Sequence, residues 1–311
     1  MILHSISPRR QGSALIAVFW MIAVLGLVIY AGAKALEADA SYSRQMRGRT
    51  YAKRLAHMGL EIGRHPGLPV HDPLLFYTNE DGGSYAVRIV AEEARLNINV
   101  LLQMDDRVLL PRLFAAWGLK PEFAAGLRDA LKDWVDADSH VGLNGAEARD
   151  YEKAGLEGMP FNRPFQSVEE MLLVRGMGEV EAVRPDWREW FTVFGDGRVD
   201  VNDARAELIA LLANVPVERV QPLLTLRAGP DGAAGTQDDV KLSTVPQVAQ
   251  LLGAFQPQVV EQLTRWIQFN GPIRRIESTG RFGDIGRRWV LITQNQKALW
   301  RGEIPTHGQT P

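Results

Sequence analysis

The feature that most constrains this chain is residues 13–33, which hold no charged side chain. As a helix these 21 residues span about 32 Å, the hydrocarbon thickness of one bilayer. Lys34 ends the run, and no proline occurs between Pro8 and Pro66. The spacing therefore predicts one helix over 13–66, with a membrane span at 13–33. Tyr51, Leu55, Met58 and Ile62 recur at helical spacing and predict an apolar stripe facing a later domain. Gly26, Gly32 and Gly48 are costs to that helix.

What precedes the run admits three readings. Residues 1–12 are short and polar, with Arg9 and Arg10 near their end. A plain signal anchor is the simplest. A cleavable secretory signal is the second: Ala31-Gly32-Ala33 has the form of a small-residue cleavage site, but the apolar run is longer than a signal core. The third is a prepilin-type leader: a short basic peptide, a glycine, then an apolar helix that stays. Arg9-Arg10-Gln11-Gly12 followed by Ser13-Ala-Leu-Ile-Ala17 fits that pattern best. Charge does not orient the span, because Lys34, Arg44, Arg47, Arg49, Lys53 and Arg54 follow it. Long domains translocate largely regardless of flanking charge.

Beyond the helix, breaker-rich residues predict a loop and 85–91 alternates as a strand. Helical spacing follows over 109–117, 122–137, 146–154, 167–175 and 179–190. A second helical group covers 204–213, 217–226, 245–252 and 257–269. Ser167 with Glu170 predicts a capping box, and Asn202 or Asp203 predicts the cap of the next helix. Strands return at 273–279, 288–294 and 297–303. A strand near 85 must then pair with one near 290 across the helical block. That predicts an α+β fold with a helical insertion, divided as 67–96 and 272–304 for the sheet, 97–195 and 196–271 for two helical units, and 305–311 for a tail.

The chain has no cysteine, which excludes disulfides, thiolate metal sites and thiol catalysis. With 35 basic against 37 acidic side chains, it lacks the basic excess of a nucleic-acid-coating protein. The histidines are scattered, and no zinc-protease, nucleophile-elbow or phosphate-loop motif occurs, so no catalytic constellation is found. Three acidic clusters have the oxygen-rich pattern of a hard-cation site: Asp133, Asp136 and Asp138; Asp196, Asp200 and Asn202; and the glycine-rich loop bracketed by Asp231, Asp238 and Asp239. The third is the best, and for each the alternative is a solvated Asp/Gly turn. A metal-dependent hydrolase would rest on Asp133, Asp136 and Asp138 alone. Gly176-Met-Gly178 between two helices has the form of a helix–hairpin–helix turn, which in DNA-binding versions lets amides approach a phosphate. Glu169, Glu170, Glu179 and Glu181 flank it and repel phosphate.

Together these parts resemble the K family of type II secretion minor pseudopilins. The resemblance is carried by the leader with Gly12, Arg95-Leu-Asn-Ile-Asn99, Leu131-Lys-Asp-Trp-Val-Asp-Ala-Asp138, Asn162-Arg-Pro164, residues 167–178, Val199-Asp-Val-Asn202 and the C-terminal strands. It implies a pseudopilin fold: a long transmembrane helix, a small antiparallel sheet and an insertion of two SAM-like units. It implies cleavage after Gly12 by prepilin peptidase and methylation of Ser13. It implies assembly with minor pseudopilins I and J, with H below, at the tip of a pseudopilus that the subunit initiates and caps for protein export across the outer membrane. The chain would sit in the inner membrane with its C-terminal domain in the periplasm, its helical cap able to contact secreted substrate. Calcium in the insertion is implied too, assigned here to Asp231, Asp238 and Asp239, with Asp136, Asp138 and Asp200 as further candidates.

Ala17 sharpens the assignment. Most pilins and pseudopilins carry Glu at the fifth residue of the processed chain, a carboxylate that is costly in lipid unless a neighbour's N-terminal amine pairs with it. A subunit with none before it loses nothing by having Ala17 there. Two departures stand out: some relatives carry cysteines, and pilins often kink at the position of Lys34 with a proline. The rival is a membrane-anchored helix–hairpin–helix DNA-binding protein of competence type; the resemblance implies no nucleic-acid partner.

Overall fold

The computed structural model describes residues 13–304. Its first element is a single helix, α1 (Ser13–Arg64), of 52 residues. Pro66 stops it, since the residue before a proline resists helical backbone. The helix is exposed almost throughout its first 35 residues, and from Gly48 onward one face is buried. That face holds most of the predicted stripe, packed on the sheet core, together with small residues. Leu55 is buried, but Tyr51 and Ile62 are half-buried and Met58 is exposed. The covered positions include Gly48, Ala52, Ala56, Gly59 and Gly63, because the sheet lies too close for larger side chains.

Strands β1 (Phe76–Thr78) and β2 (Gly83–Ala91) follow. The chain then leaves the sheet through β3 (Leu96–Asn97), α2 (Ile98–Gln103), α3 (Leu109–Ala116), α4 (Pro121–Val135), α5 (Ala148–Lys153), α6 (Met177–Val183) and β4 (Phe191–Thr192). A second helical group runs from β5 (Val199–Asp200) through α7 (Ala206–Ala213), α8 (Gln221–Arg227), α9 (Val245–Leu252) and α10 (Pro257–Trp266) to β6 (Ile267–Gln268). The chain returns as β7 (Ile273–Phe282), β8 (Ile285–Gln294) and β9 (Lys297–Ile304).

The main sheet has the order β1-β2-β7-β8-β9, antiparallel throughout. One expectation is corrected: β2 pairs with β7, and the strand near 290 is one place further out. The 285–294 strand has both edges filled, by β7 and β9, so β2 takes the remaining edge of β7. In the register Ala91 faces Arg274, so residues 92–272 leave and rejoin the sheet at neighbouring positions. Each helical group closes on its own two-residue parallel ladder, β3 with β4 and β5 with β6. The two groups nevertheless share one continuous core, from Leu96 and Trp134 to Leu208, Leu252 and Trp266. A smaller core joins α1 to the sheet through Leu55, Leu60, Val87, Ile276 and Leu291.

Proline explains most other differences from the predicted helices. The segment 179–190 breaks at Pro185 into α6 and a 3-10 turn at Trp187–Trp190. Pro222 likewise opens α8 after a 3-10 turn, Val217–Val220. Residues Val168–Leu173 are 3-10, and Ser167 makes no capping bond; Glu170 pairs instead with Arg163 at 3.0 Å. The capping box that does form is Glu147 with Asp150, at the start of α5.

Candidate functional site

Among the described residues one helix, α1, is long and apolar enough to cross a membrane, and the rest of the chain covers none of its apolar window. Ser13 is its first residue and Ala17 lies exposed on it. Gly12 and residues 1–11 lie outside the described residues, as does the 305–311 tail.

Where the insertion leaves the sheet, ordered polar groups replace the apolar core. Arg275 on β7 bonds Glu277 (Nε–Oε1, 2.6 Å) and Glu92 (Nη1–Oε2, 3.2 Å). Arg288 on β8 bonds the other oxygen of Glu277 at 2.7 Å and approaches Glu189 at 3.6 Å. Arg95 lies 3.6 Å from both Glu92 and Glu277. Thr192 on β4 donates to Glu92 at 2.6 Å. Three arginines and three carboxylates thus bind the sheet to the start of the insertion and to its Trp187–Trp190 turn. Burial works to raise the Glu277 carboxyl, but Arg275 and Arg288 outweigh it and bring it down to about 2. Burial lowers the Arg95 guanidinium to about 10, with Arg275 adding to the effect.

The asparagines beside this network act as backbone clamps. Asn97 caps α2 by accepting from the Val100 amide at 3.2 Å, and donates to the Phe194 and Gly195 carbonyls. Asn99 bonds both the amide and the carbonyl of Phe165, at 2.8 and 2.9 Å. Asn202 does the same to Leu242, at 2.8 and 3.0 Å. The expectation that Asn202 or Asp203 caps the next helix is therefore corrected: Arg205 holds that position without a side-chain capping bond, and Asp203 accepts from the Ala91 amide at 2.7 Å. Sequence reasoning missed a repeat. Arg95-Leu-Asn-Ile-Asn99 and Arg198-Val-Asp-Val-Asn202 share the pattern Arg, apolar, Asn or Asp, apolar, Asn. Each forms a short parallel strand and ends in an asparagine that pins a distant loop.

The acidic clusters divide. Asp133 is buried and accepts from the Gly142 amide at 2.9 Å; burial raises its carboxyl. Asp138 accepts from the His140 amide at 2.8 Å. Asp136 is raised by burial and by Asp138 and Asp133, and its Oδ1 has no partner among the described residues. Asp200 is buried and accepts from the Gly271 and Asn202 amides, at 2.6 and 2.9 Å, so both its oxygens hold the backbone of the second unit closed. In the third cluster Asp238 accepts from the Asp231 amide at 2.9 Å and Asp239 from the Gly235 amide at 2.7 Å. The Thr236 hydroxyl donates to Asp238 at 2.7 Å and lies 3.4 Å from Asp239, so these two carboxylates turn toward one point. Asp231 accepts from the Ala233 amide at 2.7 Å, and its side chain lies within hydrogen-bonding reach of Asp238. Among the described residues no three carboxylate or imidazole groups converge as metal ligands would. The donor set of the third loop is nonetheless all hard oxygen, and a side chain at Gly229 would strike the Asp238 backbone carbonyl, with the Asp238 carboxylate beside it.

At the Gly176 turn the residue has φ of 95°, and a β-carbon there would press on Leu127 and Phe123 at 3.2 Å. The glycine serves helix packing, and α6 beyond it opens with Glu179.

Residues 94–185 match the family model described as type II secretion system, protein K. Type II secretion system protein K of Pseudomonas aeruginosa is 26% identical over 289 residues, 82% of this chain and 85% of that protein. Residues 94–185 thus carry the protein K domain of type II secretion, and the likeness to protein K runs over most of the chain. The Klebsiella pneumoniae protein K is 32% identical over 168 residues, 49% of this chain and 51% of that one. A chain in the crystal structure of the GspK-GspI-GspJ complex from enterotoxigenic Escherichia coli has the same fold, with a TM-score of 0.59 at 18% identity, over 87% of this chain and 99% of that one. The chain is a minor pseudopilin of type II secretion, a structural subunit and not an enzyme, with the α+β pseudopilin fold and a membrane anchor at its N-terminus. Nothing in the family or in the Gly176 turn favours a DNA-binding protein.

Proposed function

We propose that this chain stands at the tip of the pseudopilus, assembled with minor pseudopilins I and J and with H beneath them, and that it initiates and caps the pseudopilus for protein export across the outer membrane. Its likeness to protein K supports this, together with Ala17 in the exposed part of α1, where a carboxylate would need a partner's amine. Prepilin peptidase cuts after Gly12, Ser13 is methylated, and the chain spans the inner membrane once with its sheet and insertion in the periplasm. Secreted protein meets the helical insertion. The decisive experiment is copurification of the full-length protein, in detergent, with I and J subunits from the same secretion system. A stable ternary complex is expected; three separately eluting proteins would remove the tip assignment.

Processing has its own test. Intact mass of protein extracted from membranes is expected to show loss of residues 1–12 and gain of one methyl group. Loss of about 33 residues would mean cleavage at the small-residue site by signal peptidase.

The Asp231–Asp239 loop is proposed to hold calcium. Asp238 and Asp239 already turn toward one point beside Thr236, and carbonyl oxygens of a glycine-rich loop supply the neutral part of a calcium shell. Chelator is expected to lower the melting temperature. The double change Asp231→Ala and Asp239→Ala is expected to remove one bound calcium per chain by titration calorimetry. Unchanged stoichiometry would place the metal elsewhere.

A further inference from the structure

The junction of sheet and insertion forms an open cleft of about 380 Å³, bordered by Glu93, Asp196, Gln268, Ile273 and Gln294. Glu93 is only 2% exposed. Its Oε1 accepts from the Ile273 amide at 3.1 Å, while Oε2 has no hydrogen-bond partner among the described residues. The nearest charged groups acting on it, Asp200 and Glu92, are also acidic, and the neighbouring arginines are taken up by Glu92 and Glu277. The carboxylate lies between two glycines: a β-carbon at Gly195 would fall 2.9 Å from its Cγ, and one at Gly271 would fall 2.8 Å from Oε2. The fold therefore makes room for a buried acid and leaves one of its oxygens unanswered.

The groups that border the cleft define what could answer it. Asp196 is exposed at the mouth of the cleft, with one oxygen on the Arg198 amide at 3.0 Å. Gln268 spends its Nε2 on the Arg198 carbonyl at 3.0 Å, leaving its carbonyl oxygen unspent. Two carboxylates and side-chain carbonyl oxygens form an all-oxygen, doubly negative set, which suits a hard divalent cation and repels an anion. We propose that this cleft is a divalent-cation site, distinct from the Asp231–Asp239 loop, in which Glu93 and Asp196 supply charge and Gln268 and Gln294 supply neutral oxygens. These residues come from the segment after β2, the β4–β5 connection, β6 and the end of β8. One cation there ties the sheet to both helical groups.

The test uses calcium as probe on the full chain in detergent, by titration calorimetry and by melting with and without chelator. The Asp231→Ala, Asp239→Ala protein serves as background, so that the loop and the cleft are read separately. That background is expected still to bind calcium, and Glu93→Gln or Asp196→Asn added to it is expected to weaken the remaining binding about tenfold or more. Asp196→Asn alters an exposed residue and keeps the test valid where Glu93→Gln disturbs folding. Three results would overturn the site: no calcium bound by the background protein, binding unchanged by both added substitutions, or a Glu93→Gln gain in melting temperature that is equal with and without calcium, which would mean that a proton alone neutralises Glu93. If only the loop assignment is wrong, parent and background bind equal calcium and the Glu93 and Asp196 variants still decide.

Discussion

Replacing Arg275 with methionine is expected to cost about 3–5 kcal/mol of stability, the range for breaking a buried ion pair by removing one partner. The substitution keeps the volume of the side chain but strands Glu92 and Glu277, which are 2% and 6% exposed, with fewer cations to answer them. Thermal melting would show this as a fall on the order of 10 °C. Adding Glu277→Gln is expected to recover a large share, because it removes one of the stranded charges; failure to recover would show that the loss comes from packing. The same network sets an acid limit. Glu277 titrates at about 2 in the fold, below its ordinary value of 4.5, since the pull of Arg275 and Arg288 overcomes burial. A depressed acid contributes its stabilisation fully above the unfolded value and loses it as pH falls through the folded one. Stability should therefore decline from about pH 4.5 toward pH 2, by about 3 kcal/mol from this group. A melting series across that window, flattened by Glu277→Gln, checks it.

Gly280→Val is expected to separate α1 from the sheet, at a cost of about 3 kcal/mol or more. Gly280 lies in the middle of β7, opposite Tyr85 of β2 and Arg287 of β8. A β-carbon there would fall on the Ala52 carbonyl and the Ala56 amide of α1. Both are helix backbone, so no rotamer change relieves the clash and the whole element must move. Gly48→Ala is the comparison: its β-carbon would meet only the tip of Ile285, a side chain that can turn away. It should cost under about 1 kcal/mol. Protease susceptibility of the α1–sheet junction, compared between the two variants in detergent, distinguishes them. Equal resistance would mean that α1 contributes little to holding the sheet.

Element types were legible in sequence wherever a period ran unbroken. Residues 245–252 form α9 at the predicted bounds, and the helical block does interrupt a sheet. Proline displaced the bounds at 185 and 222 by removing a donor, which periodicity does not register. The predicted stripe of α1 holds at Tyr51, Leu55 and Ile62 and fails at Met58; apolar size does not register the glycines and alanines that complete the covered face, where the neighbour leaves no room for more. The family was carried by scattered short motifs, and the structure gives several of them a role. Arg95, Asn97 and Asn99 are a charge, a cap and a clamp. The buried charge network was not legible, because Glu92, Arg275, Glu277 and Arg288 have no shared spacing and meet only when β2 and β7 are aligned. For the acidic clusters, sequence showed which oxygens were near in the chain but not which were already committed to amides, as those of Asp200 are.

The alignment of Ala91 with Arg274 also bears on the order in which the molecule can be built. Strand β2 emerges early in synthesis, yet its central partner β7 follows only after residues 92–272. Closing an unstructured loop of that length costs about 2–3 kcal/mol more in chain entropy than closing a link of roughly ten residues. If the helical groups condense first, each on its own parallel ladder, they bring the two ends together and that difference vanishes. The sheet is then the last layer to close. Until it does, the small-residue face of the anchor helix, which docks on Gly280, has nothing to rest against.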